Sequence, residues 1–179
     1  MTTQPANHYK YCPRCAARGV FDAQNKAFKC HNCGFHFFLN SSAAVTAIIF
    51  NEKGKLLMVR RGIEPHYGAL DFPGGFVDPG ESAEQAILRE IKEELNLEPV
   101  KVKYWASFPN EYLYSGTIVH TIDLVFCCKV DDFSAIKHLD DVMGFEFVDV
   151  CSVDVKQLPF LSVQNIVNTL QKQKNLANI

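Results

Sequence analysis

Apolar residues recur at Ala83, Ala86, Ile87, Ile91 and Leu95, a helical spacing that places them on one face. Pro79-Gly80 marks a turn ahead of them and Glu81-Ser82 stands where a helix begins, so the pattern predicts a helix over Ser82–Leu95. Elsewhere the pattern is that of strands. Ala43–Phe50 is a β-rich run, Asn51–Lys55 with Gly54 reads as a hairpin turn, and Leu56–Arg60 reads as the return strand. Val100–Ser107, Ile118–Val130 and Phe145–Val150 read as further strands, with Thr121–Val130 apolar enough to be buried. Arg61–Asp71 reads as a loop with Gly62, Pro65 and Gly68, and Pro73-Gly74-Gly75 as a tight approach to the helix. Ser162 reads as the N-cap of a last helix with Val163, Ile166, Val167 and Leu170 on one face. Strands with two helices predict a mixed α/β domain.

The polar side of the first helix carries the chemistry. Glu90 and Glu94 are one turn apart and Glu93 is three from Glu90, so their carboxylates cluster. Like charges at these spacings oppose a helix by roughly 0.2–0.5 kcal/mol per pair. A bound cation offsets that cost, and hard oxygen ligands suit magnesium.

The chain divides near Asn40. Ahead of it, Cys12-Pro-Arg-Cys15 and Cys30-His-Asn-Cys33 form two knuckles separated by 14 residues. That spacing reads as a tetrahedral zinc site, and four thiolates close it, so its role is structural. A disulfide pair and a site without metal are the alternatives. The aromatics Tyr9, Tyr11, Phe21, Phe28, Phe35 and Phe37 are placed to coat the knuckles. A module of about 40 residues buries little surface, so the metal supplies its stability. His31 and His36 read as bystanders. Cys127, Cys128 and Cys151 read as small apolar core residues.

Composition narrows the class. Hydrophobic residues make up 47% of the 179, enough for a core. The net charge of −2 argues against a general nucleic-acid or anionic-membrane binder. Residues 1–40 hold five basic residues against one acidic, and the remainder 13 against 19. Four thiolates on one zinc add −2, which leaves the ribbon at about +2. We therefore read the ribbon as structural or dimerising rather than nucleic-acid binding, with a homodimer left open. No apolar run reaches the roughly 20 residues of a membrane span. The first twelve residues lack a signal-peptide core, so the expected location is the cytoplasm, where cysteines stay reduced.

Gly75 to Leu97 resembles the Nudix box, G-x5-E-x7-R-E-U-x-E-E-x-G-U, where U is aliphatic. The matches are Gly75, Glu81, Arg89, Glu90, Ile91, Glu93, Glu94 and Leu97. Asn96 replaces the last glycine, a change that keeps a left-handed turn accessible. The resemblance covers most of residues 41–179 and implies a Nudix α/β/α sandwich with a mixed sheet after a small zinc ribbon, residues 1–40. It also implies hydrolysis of the pyrophosphate bond in a nucleoside diphosphate derivative, with magnesium or manganese held by Glu90, Glu93 and Glu94 and the Gly75 carbonyl. Arg89 is then placed to pair with Glu93 and orient the carboxylates, and Glu81 to support the loop or the helix dipole. An acidic residue beyond the box completes such sites in many relatives. Counting back from Phe147 selects Asp141, with Asp140 and Glu146 as runners-up.

The ribbon with Gly75-Phe76-Val77-Asp78 looks like the NADH pyrophosphatase and ADP-ribose pyrophosphatase branches. The former carries S-Q-P-W-P-F-P-x-S after the box, and of this only Ser107, Pro109 and Ser115 are present. NADH-like dinucleotides, ADP-ribose and sugar nucleotides all stay open as substrates. Tyr67, Phe76, Trp105, Tyr112 and Tyr114 could stack a base or simply pack. Arg60 and Arg61 could meet phosphates or end strands in solvent. The alternative class is a Nudix-fold nucleotide sensor that uses its ribbon for a partner.

Overall fold

A computed structural model describes residues 8–22, 24 and 26–173. Part of the expectation for the first twelve residues, and the last six of the Nudix segment, lie outside these. The chain forms two compact units, Met1–Ser42 with Glu111–His120, and Ala43–Asn110 with Thr121–Ile179.

In the first unit, β1 (Val20–Asp22), β2 (Ala27–Lys29) and β3 (His36–Phe38) form an antiparallel sheet with Phe21, Phe28 and Phe37 in register. Two turns of the same design flank it. Cys12 N–H donates to Ala17 O and Ala16 N–H to Cys12 O, while Cys30 N–H donates to Phe35 O and Gly34 N–H to Cys30 O. Phe28 is buried with Cys12 and Cys30, and Phe21 and Phe35 pack against them. The expected coat is thus narrower than the sequence suggests. Tyr9, Tyr11 and Phe37 are exposed, because a module this small has an inside for only a few rings.

A four-stranded sheet has the order β7-β4-β9-β8, from Gly74–Phe76, Ser42–Ile48, Thr117–Lys129 and Lys101–Tyr114, and of it β7, β4 from Ala43, β8 up to Asn110 and β9 from Thr121 belong to the second unit. The other is β10-β5-β6, from Val142–Val148, Leu56–Arg61 and Leu70–Asp71. Helix α1 (Ala83–Leu95) places Ala86, Ile87, Ile91 and Leu95 in a core with Val45, Ala47, Leu57, Val59, Phe126 and Val142. Helix α2 (Leu161–Lys172) buries Val163, Ile166, Val167 and Leu170. This is the α/β class expected. No helix among the described residues is long and apolar enough to cross a membrane.

Several boundaries differ from the sequence pattern. β4 and β5 meet only at their base, through the Phe50–Leu56 bridge and Leu57 N–H on Ile49 O. They then part, because a strand has two edges and those of β4 are taken by β7 and β9. The expected loop Arg61–Asp71 ends in β6, where Asp71 pairs with Val59. β8 runs on to Tyr114, beyond the expected end at Ser107. Ser162 is not the cap of α2. Phe160 holds that position with no side-chain hydrogen bond, and Ser162 is buried inside the first turn. Cys128 is buried as expected, whereas Cys151 is exposed, since the short 3-10 turn Val150–Ser152 buries Val150 instead.

Candidate functional site

Helix α1 starts with reciprocal caps. Gln85 N–H donates to Ser82 Oγ at 3.2 Å and Ser82 N–H to Gln85 Oε1 at 2.8 Å, which serves two otherwise unpaired donors. Just ahead, Asp78 N–H donates to Glu81 Oε1 at 2.7 Å and closes the loop. At the far end Asn96 adopts φ 53° and ψ 34°, the left-handed cap that its place in the motif predicts.

Arg89 gathers the acidic side chains. Its Nη2 donates to Glu81 Oε1 at 2.6 Å and to the Phe76 carbonyl at 3.0 Å, and its Nε to Glu81 Oε2 at 3.2 Å. Its Nη1 donates to Glu90 Oε1 at 2.9 Å and to Glu93 Oε2 at 3.0 Å. The guanidinium fork therefore ties loop to helix, a geometry that an ammonium could not reproduce. The Arg89 hydrogen bonds hold the Glu81 carboxyl below its ordinary value.

The other carboxylates are held differently. Glu94 is 7% exposed, and its Oε2 accepts from Gly74 N–H at 3.0 Å. Burial pushes its carboxyl well up, and the charges of Glu90, Asp71 and Asp141 push it further. Burial also raises Glu90, against the pull of Arg89. Gly74 has φ 146°, and a Cβ there would run into the Val45 carbonyl; one on Gly75 would run into the Glu90 carboxylate. The two glycines let strand β7 lie against both β4 and the helix.

Asp141 is exposed, and the loop that carries it is tied to the end of α1. Leu139 N–H donates to Glu94 O, Lys137 N–H to Leu95 O and Asn96 Nδ2 to Ala135 O. The loop before β10 thus caps the end of α1, and Gly62 N–H fastens the Asp141 carbonyl at 2.6 Å. Glu146, a runner-up, instead pairs with Arg60 at 2.6 Å. Arg60 also donates to Gly68 O, and Arg61, the last residue of β5, is not a solvated charge. Arg61 pairs with Asp71 at 3.0 Å, donates to Pro65 O and lies over the Phe160 ring.

Sequence reasoning missed Asp71 and Asp123. Asp71 is half-buried and its carboxyl is pushed up to about 6, by desolvation first and against the pull of Arg61. Its place just before Phe72-Pro73-Gly74-Gly75 was its one signal. The aromatic candidates do not converge. Tyr67, Phe76 and Tyr114 are exposed, Tyr112 stacks with Tyr114, and Trp105 leans on Phe108.

In the first unit the four cysteine sulfurs all lie within 4.8 Å of one another. Cys12–Cys33 and Cys15–Cys30 are each 3.6 Å apart. Thiolates about 2.3 Å from a tetrahedral centre lie roughly 3.8 Å apart. A disulfide would need about 2.05 Å. His31 and His36 are exposed and outside the group. Among the described residues the sulfurs alone gather this closely. The box carboxylates are spread between Arg89 and the Gly74 N–H.

Residues 40–172 match the NUDIX domain model. The chain belongs to the NUDIX family. It is 33% identical over 147 residues to the ADP-ribose pyrophosphatase of Methanocaldococcus jannaschii, covering 79% of each. It is 28% identical over 102 residues to the NAD-capped RNA hydrolase NudC of Pseudomonas aeruginosa, covering 57% of this chain and only 36% of that one. The NUDIX hydrolase structure from Nitrosomonas europaea aligns over 92% of both chains at TM-score 0.69 and 18% identity. The NUDIX domain of Shewanella oneidensis NrtR, complexed with ADP ribose, aligns over 75% of this chain and 87% of that one at TM-score 0.57 and 23% identity. Both support the fold. This NUDIX protein is an enzyme, a hydrolase of the pyrophosphatase kind.

Proposed function

We propose that this NUDIX hydrolase cleaves the pyrophosphate linkage of a nucleoside diphosphate derivative, either ADP-ribose or an NAD-type dinucleotide. The observation that carries the reading is the box helix itself, with Glu94 buried against the Gly74 N–H and Glu81, Glu90 and Glu93 held by Arg89. The similarity to an ADP-ribose pyrophosphatase supports the substrate class.

The donor set fits a hard divalent cation. Glu94 is a buried carboxylate surrounded by other acidic charges, and Glu90 beside it has the Arg89 guanidinium as its cationic partner. We assign magnesium or manganese to Glu90, Glu93, Glu94 and the Gly75 carbonyl. Such an ion neutralises phosphate oxygens and lowers the pKa of bound water. The chain supplies the rest. Arg89 keeps Glu90 and Glu93 in fixed rotamers, and the Gly74 N–H orients Glu94. The Asp141 carboxylate is the group we assign to take the proton from the attacking water, which forms the new P–O bond as the bridging P–O bond breaks. The sulfur geometry fits one structural zinc on Cys12, Cys15, Cys30 and Cys33. We take residues 1–40 as the ribbon, residues 41–179 as the catalytic domain, and the cytoplasm as the location.

A screen of ADP-ribose, NADH and sugar nucleotides with magnesium or manganese, with products identified, tests the reading. The expected result is AMP as one product. No turnover of any of them, together with tight binding of one, would make the protein a sensor instead. Asp141→Asn should lose turnover at saturating magnesium while Asp140→Asn and Glu146→Gln keep it. Full activity in Asp141→Asn would move the proton-accepting role elsewhere.

A further inference from the structure

Thr121 and Asp123 lie two apart on β9, so their side chains leave the same face. They are 4% and 7% exposed, with apolar Val125 and Phe126 buried further along the strand. Thr121 Oγ1 donates to Asp123 Oδ1 at 2.7 Å. Among the described residues the Asp123 carboxylate has no second hydrogen bond and no ion pair. A carboxylate offers about four acceptor positions, and leaving most of them unserved under burial is costly. Arg61 pairs with Asp71 at 3.0 Å. The Asp123 charge reaches Asp71, and that of Asp71 reaches Glu94, so an acidic line leads from the box helix to β9.

A separate observation points to the same face. Asn110 on β8 is 8% exposed between exposed neighbours, and its Oδ1 is buried without a hydrogen-bond partner. β8 is the neighbour of β9. The two join through the turn Ser115–Gly116, whose φ values of 49° and 76° are those of a two-residue hairpin loop. Counting back from that turn sets Asn110 across from Thr121, and cross-strand partners share a face.

We propose that Asn110, Thr121 and Asp123 form an acceptor-lined subsite that binds the hydroxyl pair of the substrate's nucleoside ribose. The inference rests on the nucleotide reading above and adds the group that this face of β8 and β9 recognises. Vicinal hydroxyls supply donors to a carboxylate and an amide oxygen at once, as when an acidic residue holds a ribose in dinucleotide-binding folds. A base edge is a poorer fit, since it presents acceptors beside its donors. A metal ion is a poorer fit too, because the three residues include a single carboxylate.

The test compares ADP-ribose with its 2′-deoxyadenosine counterpart, and AMP with 2′-deoxy-AMP in equilibrium binding. The wild type should prefer the ribose form by about tenfold or more, as expected for hydrogen bonds to a charged group. Asp123→Asn and Asn110→Ala should each cut that preference severalfold, in KM and in AMP affinity. Asn110→Ala removes no charge and serves if Asp123→Asn does not fold. A wild type that treats both sugars alike, or variants that keep its preference, would overturn the subsite. Absence of hydrolysis with ribose-selective AMP binding intact would instead remove the proposed activity and leave the subsite standing.

Discussion

Glu94 is pulled in two directions. Burial favours its neutral form, while a metal ligand must be ionised. Its folded-state pKa lies well above the ordinary 4.5, so the metal-free fold holds this proton more tightly than the unfolded chain does. That contribution is fully present below about pH 4.5 and is lost as pH rises through the folded value. Glu94→Gln keeps an acceptor for the Gly74 N–H and carries no charge. In EDTA at pH 8 its unfolding temperature should exceed that of the wild type, and the gap should close as pH falls towards 4.5. Saturating magnesium should favour the wild type again, and turnover of the variant should drop by at least about 100-fold. A Glu94→Gln enzyme with wild-type kcat would contradict the metal assignment. Glu93 is more exposed and reads differently. Glu93→Gln should cost activity on a similar scale with almost no change in stability, measured by urea unfolding and steady-state kinetics.

At the level of elements, both helices make testable statements about their ends. Asn96 sits in the left-handed region and its Nδ2 also reaches the Ala135 carbonyl at 3.0 Å. Asn96→Ala should therefore destabilise by about 1–2 kcal/mol. Asn96→Gly, the residue of the family pattern, should stay within about 0.5 kcal/mol, because relief of the backbone offsets the lost hydrogen bond. Urea midpoints for the pair decide this, and equal losses would mean that the hydrogen bond, not the backbone, governs. In α2 the Ser162 hydroxyl is buried with no partner. Ser162→Ala removes an unsatisfied group and adds a better helix former, so the protein should gain roughly 1 kcal/mol. A loss there would reveal a hydrogen bond that the hydroxyl makes in solution.

At the scale of the whole molecule the two units have separate cores, one around Phe28 and the cysteines and one around α1 and the sheets. Metal analysis should find one zinc per chain. Chelation or Cys12→Ser should raise amide exchange across residues 8–42 while α1 and β5 keep their protection. Uniform loss of protection would show that the catalytic core depends on the ribbon.

The features legible from the sequence alone are those whose geometry is local. The knuckles, the box helix with its left-handed cap and the Arg89–Glu93 pair follow from spacings of three to four residues, which a turn or a helix converts directly into position. Ser162 fails this test because the residue that caps a helix depends on where the preceding chain arrives, and here Phe160 arrives first. The parting of β4 from β5, the exposure of Cys151 and the tying of the Asp141 loop to the end of α1 are decided by which strands and loops compete for an edge or a helix end. Asp71 and Asp123 belong with these. Each is an ordinary acidic residue along the chain; the fold alone sets Asp71 beside Arg61 and away from water, and buries Asp123 on β9.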